Sequence, residues 1–192
     1  MNKYLNSSNT IILVAVLTLI AIASRFLLID WPNFKPVAAI ALFLGFYCQD
    51  RRIAVLTVVG ILLITDWFFG FYSPILMLSV YSSIVLACGL GILLNPWLRK
   101  TNLFGARIGL VTVSAIAASL VFYLVTNVAV ALVSPWYPNT MDGILLSLVA
   151  GIPFFKYTLA GNIMFGLGIF SSYFAWESRV LTRAVQSNAC IQ

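Results

Sequence analysis

The chain of 192 residues contains no histidine. That absence removes the usual general base, the commonest metal ligand and every Ser-His or Cys-His catalytic arrangement. Charge is scarce too, at 8% of residues against about 25% in soluble domains. The five acidic residues are dispersed, so no carboxylate cluster for magnesium is indicated. Three cysteines, Cys48, Cys88 and Cys190, stand far apart without C-x-x-C spacing, and neither a zinc site nor a disulfide framework follows. There is no G-x-x-x-x-G-K-[ST] phosphate loop, no G-x-S-x-G nucleophile elbow, no fixed-period repeat and no low-complexity tract. No cofactor and no metal site is therefore expected.

What the chain does have is apolar surface: 62% apolar residues and a mean hydropathy of +1.04. Too little polar surface remains to face water on all sides, so the expectation is an integral membrane protein in contact with the lipid bilayer. Apolar stretches at about 10–29, 36–49, 53–72, 75–95, 107–133 and 153–176 predict an all-α bundle of six transmembrane helices in one domain spanning 1–192. The second stretch is short for a span, and residues 139–152 form a further apolar segment, read as a half-helix over one face before Pro153 opens helix six.

The formal charge of +6 is a topology signal rather than a nucleic-acid footprint, because the basic residues sit between apolar runs. Lys3, Arg51, Arg52, Arg99, Lys100, Arg107, Arg179 and Arg183 fall on one side. The opposite connections hold Lys35, with Arg25 and Lys156 in nearby helix ends. Positive-inside bias predicts both termini in the cytoplasm of a multi-pass protein of the bacterial inner membrane. Ala21-Ile22-Ala23 resembles a signal-peptidase site, but a single preceding Lys and the apolar residues after Arg25 favour an uncleaved first span.

Three connections then share the outer face: residues 30–36, Asp66 through Pro74, and Ser134 through Gly143 running into Lys156 and Tyr157. They carry three of the five tryptophans and most of the prolines. Such a cluster fits either an interfacial aromatic belt or a ligand pocket. Intramembrane polar residues favour the pocket. Asp66 lies about 9 Å inside the end of helix three, where a lone carboxylate costs several kcal/mol, and Lys156 is its expected partner. Ser119, Tyr123 and Asn127 share one face of helix five, and Asn162 adds an amide from helix six. The predicted ligand-binding set is Asn33, Asp66, Tyr72, Tyr81, Asn127, Trp136, Tyr137, Lys156 and Asn162. Arg25 is read as snorkelling or as pairing locally with Asp30. Small-residue pairs (Ala41 with Gly45, Ser114 to Ser119, Gly168 with Ser172) predict close helix contacts or a partner surface.

Several strings carry a family resemblance: Asn33-Phe34-Lys35-Pro36-Val37, Thr65-Asp66-Trp67-Phe68-Phe69-Gly70, Thr126-Asn127, Tyr137-Pro138-x-Thr140 and Ile152-Pro153-Phe154-Phe155-Lys156-Tyr157. Over about residues 25–170 the chain resembles an uncharacterised bacterial family of six-helix membrane proteins. That group is similar to the substrate-binding S components of energy-coupling-factor vitamin transporters and to solitary vitamin B12 transporters. The resemblance implies an S-component-like bundle, cytoplasmic termini and a micronutrient site on the outer side. Members that dock on a shared energising module often carry Ala-x-x-x-Ala on helix one. Here Ala15, Ala21 and Ala23 face Leu19, Arg25 and Leu27 at that spacing, which speaks against docking. The B12 transporters also place a cobalt-ligating Cys where this chain has Ser79-Val80-Tyr81-Ser82-Ser83, so cobalamin is one candidate among several. The expected function is uptake of a small organic solute, not catalysis. The alternatives are an accessory protein binding another membrane protein, or a small membrane enzyme using Asp66 and Lys156.

Overall fold

A computed structural model describes residues 7–31, 33–101 and 103–189. Lys3, Pro32 and Cys190 lie outside the described residues. Six helices follow in order: α1 (Ser7–Leu27), α2 (Val37–Tyr47), α3 (Arg51–Phe69), α4 (Pro74–Lys100), α5 (Phe104–Val133) and α6 (Met141–Ala189). All but α2 are long and apolar enough to cross a membrane. Their outward faces carry side chains such as Leu56, Leu78, Leu93 and Val113, each more than 60% exposed, which suits lipid rather than water. This is a multi-pass helical membrane bundle.

The sixth helix corrects the sequence reading. Residues 139–152 are not a separate half-helix, since α6 runs unbroken from Met141 with Pro153 inside it. The hydroxyl of Thr140 caps the start by accepting from the Gly143 N–H at 3.3 Å. Pro153 costs one backbone donor, and packing on α5 holds the turn around it. Ser147 donates to the Asn127 carbonyl at 2.9 Å, the Tyr123 hydroxyl donates to the Leu148 carbonyl, and Gly151 lies against the Asn127 side chain. At 49 residues α6 is about 74 Å long, roughly two and a half times a bilayer's hydrocarbon core.

Every residue of α2 is buried, as befits a helix apolar on all sides. With 11 residues it is about 16 Å long, half of the roughly 30 Å hydrocarbon core. Gly45 and Gly91 let α2 and α4 touch backbone to backbone. A Cβ on Gly45 would overlap the Cys88 carbonyl oxygen and lie 2.9 Å from its carbon; one on Gly91 would do the same at Leu42. Asn95 donates to the Phe46 carbonyl at 2.5 Å beside that seam. On its other side α2 runs parallel to α6 through rings, with Phe43 and Phe170 centroids 5.1 Å apart and Tyr47 and Tyr173 at 5.5 Å. Of the predicted small-residue contacts, Ala41–Gly45 and Ala115–Ser119 are close-packed, whereas Gly168 and Ser172 line an open apolar groove between α1 and α6.

Asn9 of α1 and Trp176 of α6 line that same groove, so the start of α1 and the C-terminal part of α6 lie at one end of the bundle. Near this end Arg107 of α5 clamps three elements. Its guanidinium meets Glu177 at 2.7 Å, donates to the carbonyls of Leu98 and Thr101, and lies 4.7 Å from the Phe174 ring centre. Hydrogen bonds to charged groups contribute about 1.5–3 kcal/mol each, so Arg107→Ala is expected to lower the melting temperature of detergent-purified protein by several degrees. Arg107→Lys should recover only part of that, because an ammonium lacks the planar fork. Equal melting of all three proteins would show the clamp to be idle.

Candidate functional site

The connections α1–α2, α3–α4 and α5–α6 share the opposite end. There the α1–α2 connection does not stay at the surface. It turns at Leu28–Trp31, passes Asn33 in the left-handed region (φ 61°), which asparagine tolerates better than most residues, and descends beside α6. Phe34 packs on Phe165 with ring centres 5.4 Å apart, and the Lys35 backbone lies against Gly161, about 30 Å along α6 from its start. Only then does α2 begin. The space above its first turn is cavity.

Three lobes adjoin there. The first, of about 210 Å³, has Val37 and Ala38 of α2 in its wall together with Arg25, Lys35, Phe122 and Asn162. The second, of about 310 Å³, extends between α4, α5 and α6 and includes Asn127, Thr126, Phe155 and Thr158. The third, of about 370 Å³, opens among the connection residues Ile29, Gly70, Phe71 and Tyr72, with Asp66 and Arg25 behind them. Tyr72 lines all three, and Asn33 lines the first two.

Asp66 is 1% exposed and fully engaged. Its Oδ1 accepts from Arg25 Nη2 at 2.6 Å and its Oδ2 from the Tyr81 hydroxyl at 2.9 Å. The expected Asp66–Lys156 pair is therefore overturned, as are the snorkelling and Asp30-paired readings of Arg25. Lys156 is exposed on the outside of α6 with its Nζ 5.0 Å from the Tyr157 ring centre, and it lines none of these lobes. The proton-transfer pair on which an enzymatic reading depended is thereby taken apart.

Charge in the cavity is unbalanced. Arg25 and Lys35 both line the first and third lobes, and Asp66 is the only carboxylate among their lining residues. Arg25 Nη1 is buried and has no hydrogen-bond partner among the described residues. Lys35, in the connection rather than in a spanning helix, has its pKa lowered by burial and then by the Arg25 guanidinium. Tyr72, in the α3–α4 connection, is held as the neutral phenol, its pKa raised by burial and then by the Asp66 carboxylate.

Over residues 5–185 the sequence matches a Family of unknown function (DUF6580). The chain belongs to that family. No curated protein and no solved structure matches it. Of the nine residues singled out from the sequence, this DUF6580 member brings Asn33, Asp66, Tyr72, Asn127 and Asn162 to the lobes, with Tyr81 behind Asp66. Trp136, 82% exposed, and Tyr137 stay in the α5–α6 connection and line none of them. The shared face of Ser119, Tyr123 and Asn127 turns toward α6, where Asn162 Nδ2 donates to Ser119 Oγ at 2.9 Å. Among the described residues no group of three or more potential metal-ligating side chains is present. Sequence reasoning missed Arg25, Lys35 and Thr158 as site residues. An arginine within an apolar helix is a site signal by default, and that signal was readable for Arg25.

Proposed function

We propose that the protein is a membrane solute-uptake protein that captures a small organic micronutrient at an extracytoplasmic site. The observation that carries this reading is the lobed cavity above α2, walled by apolar side chains and rings with a few orienting polar groups. Individual lobes of 210–370 Å³ suit a vitamin of one or two rings better than a corrinoid. The basic residues gathered at the terminal end support cytoplasmic termini in a bacterial inner membrane, which opens the cavity to the outside. The resemblance to S components supports the same direction of use. Without a phosphate loop in the sequence, energy comes from a partner or a gradient, and the missing Ala-x-x-x-Ala argues against the shared energising module.

The test is thermal stabilisation of detergent-purified protein by vitamins and their precursors, followed by uptake of any hit into proteoliposomes. A ligand at 100 times its Kd adds about 2.7 kcal/mol. Tyr72→Ala, at a residue 39% exposed, should leave the unliganded melting temperature unchanged and weaken the hit about tenfold. A folded protein stabilised by no compound of the panel would count against capture. A second reading, an accessory protein seated against another membrane protein, is favoured by the apolar groove of about 800 Å³ between α1 and α6. Co-purification of one partner at fixed stoichiometry, lost on Gly168→Trp, would support it.

A further inference from the structure

We infer that the cavity holds one anionic group of its ligand, a carboxylate or a singly charged equivalent, between Arg25, Lys35 and the first turn of α2. The inference rests on the reading of this cavity as a solute site and names the chemical class of the solute. Two cations line the first and third lobes against a single carboxylate, and that carboxylate already spends one oxygen on Arg25 Nη2 and the other on Tyr81. Arg25 also keeps a second nitrogen, Nη1, buried and without an acceptor among the described residues. Lys35 has no carboxylate within ion-pair distance among the described residues.

A buried guanidinium nitrogen without an acceptor is a costly arrangement, and the positive charge it shares with the rest of the Arg25 side chain acts on the lobes which that residue lines. The α2 backbone adds to the same field. Pro36 precedes the helix without a side-chain cap, and the first intrahelical bond is from the Ile40 N–H to the Pro36 carbonyl, so the N–H groups of Val37, Ala38 and Ala39 come before it. Val37 and Ala38 stand in the wall of the first lobe, next to Arg25 and Lys35, where the positive end of the helix dipole favours negative charge. The rest of that lobe is neutral: Val80, Ile84 and Phe122 offer apolar contact, while Thr158 and Asn162 offer hydrogen bonds. The fitting solute is a small monoanionic organic acid with an apolar or ring-shaped body.

Matched pairs test this in the full-length protein: benzoate with benzamide, nicotinate with nicotinamide and pantothenate with pantothenol, with inorganic phosphate as a free anion, all at equal ionic strength. At high millimolar concentration at least one acid is expected to raise the melting temperature clearly above its neutral counterpart. Lys35→Met, in a connection rather than a packed helix, should fold and weaken the acid about tenfold while leaving neutral compounds unaffected. Stabilisation by neutral members as strong as by the acids, and unchanged in Lys35→Met, would overturn the anion subsite while leaving solute capture standing. No shift from any acid would overturn it as well, because the charged subsite alone must register a simple carboxylate. Phosphate matching the best acid would overturn the organic-acid assignment in favour of a free inorganic anion. Acid binding that depends on Lys35 but is accompanied by no uptake into proteoliposomes would retain the subsite and remove the uptake reading.

Discussion

With alanine in place of Gly91, the bundle is expected to lose about 3 kcal/mol or more, and the same holds for Gly45→Ala. The added methyl at Gly91 would overlap the Leu42 carbonyl oxygen and sit 2.9 Å from both the Leu42 carbonyl carbon and the Phe46 nitrogen. All of these are backbone atoms, so no rotamer change makes room. α2 would have to move away from α4, and α2 is the one helix buried along its whole length, so its displacement also disturbs the ring contacts with α6. For a chain of this size about 3 kcal/mol lowers the melting temperature by roughly 6–12 °C. Gly89→Ala is the matched control. A Cβ there meets nothing within 4 Å, and alanine is favoured over glycine in a helix by up to about 1 kcal/mol, so its melting temperature should hold or rise. Equal behaviour at positions 89 and 91 would mean that the α2–α4 seam is not the tight contact described.

Asp66→Ala is expected to destabilise the protein by about 3–5 kcal/mol, or roughly 6–20 °C in melting temperature. The substitution strips Arg25, whose side chain is 15% exposed, of the acceptor held at 2.6 Å, and leaves the Tyr81 hydroxyl without its acceptor as well. A buried charge without its partner is what makes the loss large; the intact pair contributes much less. The double variant Arg25→Met with Asp66→Leu should therefore melt close to wild type, because it removes both charges and keeps most of the volume. A double-mutant cycle by thermal melting in detergent checks this, and losses that simply add would deny the pairing. The double variant also removes one of the two cavity cations, so its response to carboxylates should fall with that of Lys35→Met.

Most of the architecture was legible because a membrane span is a long signal. Runs of about 20 apolar residues mark five helices directly, and α2 shows itself as a short run apolar on every side. The start of α6 differs from the expectation at Pro153 because proline suits a first helical turn and yet here stands inside a helix. Thr140 already offered a cap 13 residues earlier, and the neighbouring α5 keeps the intervening segment helical. Asp66 was recognisable as buried from its depth, yet its partner was not, since nothing in the sequence says that α1 lies beside α3. The error over Lys156 was avoidable. At 100° per residue, Lys156 stands about 160° from Thr158 and about 120° from Asn162, so a helix that turns those two inward turns the lysine out.

The shortness of α2 also has an electrical consequence. Wherever water fills the lobes above Val37, solution reaches roughly half-way through the hydrocarbon layer along the bundle axis. The membrane voltage then falls mainly across the 11 residues of α2 and the rings packed around it, not across the full thickness. A charge entering the cavity crosses little of that voltage, while one passing α2 would cross nearly all of it, at about 2.3 kcal/mol per elementary charge for each 100 mV. Loading would thus be nearly indifferent to membrane potential. Any step that carries a charged solute past the central helix would be steeply dependent on it.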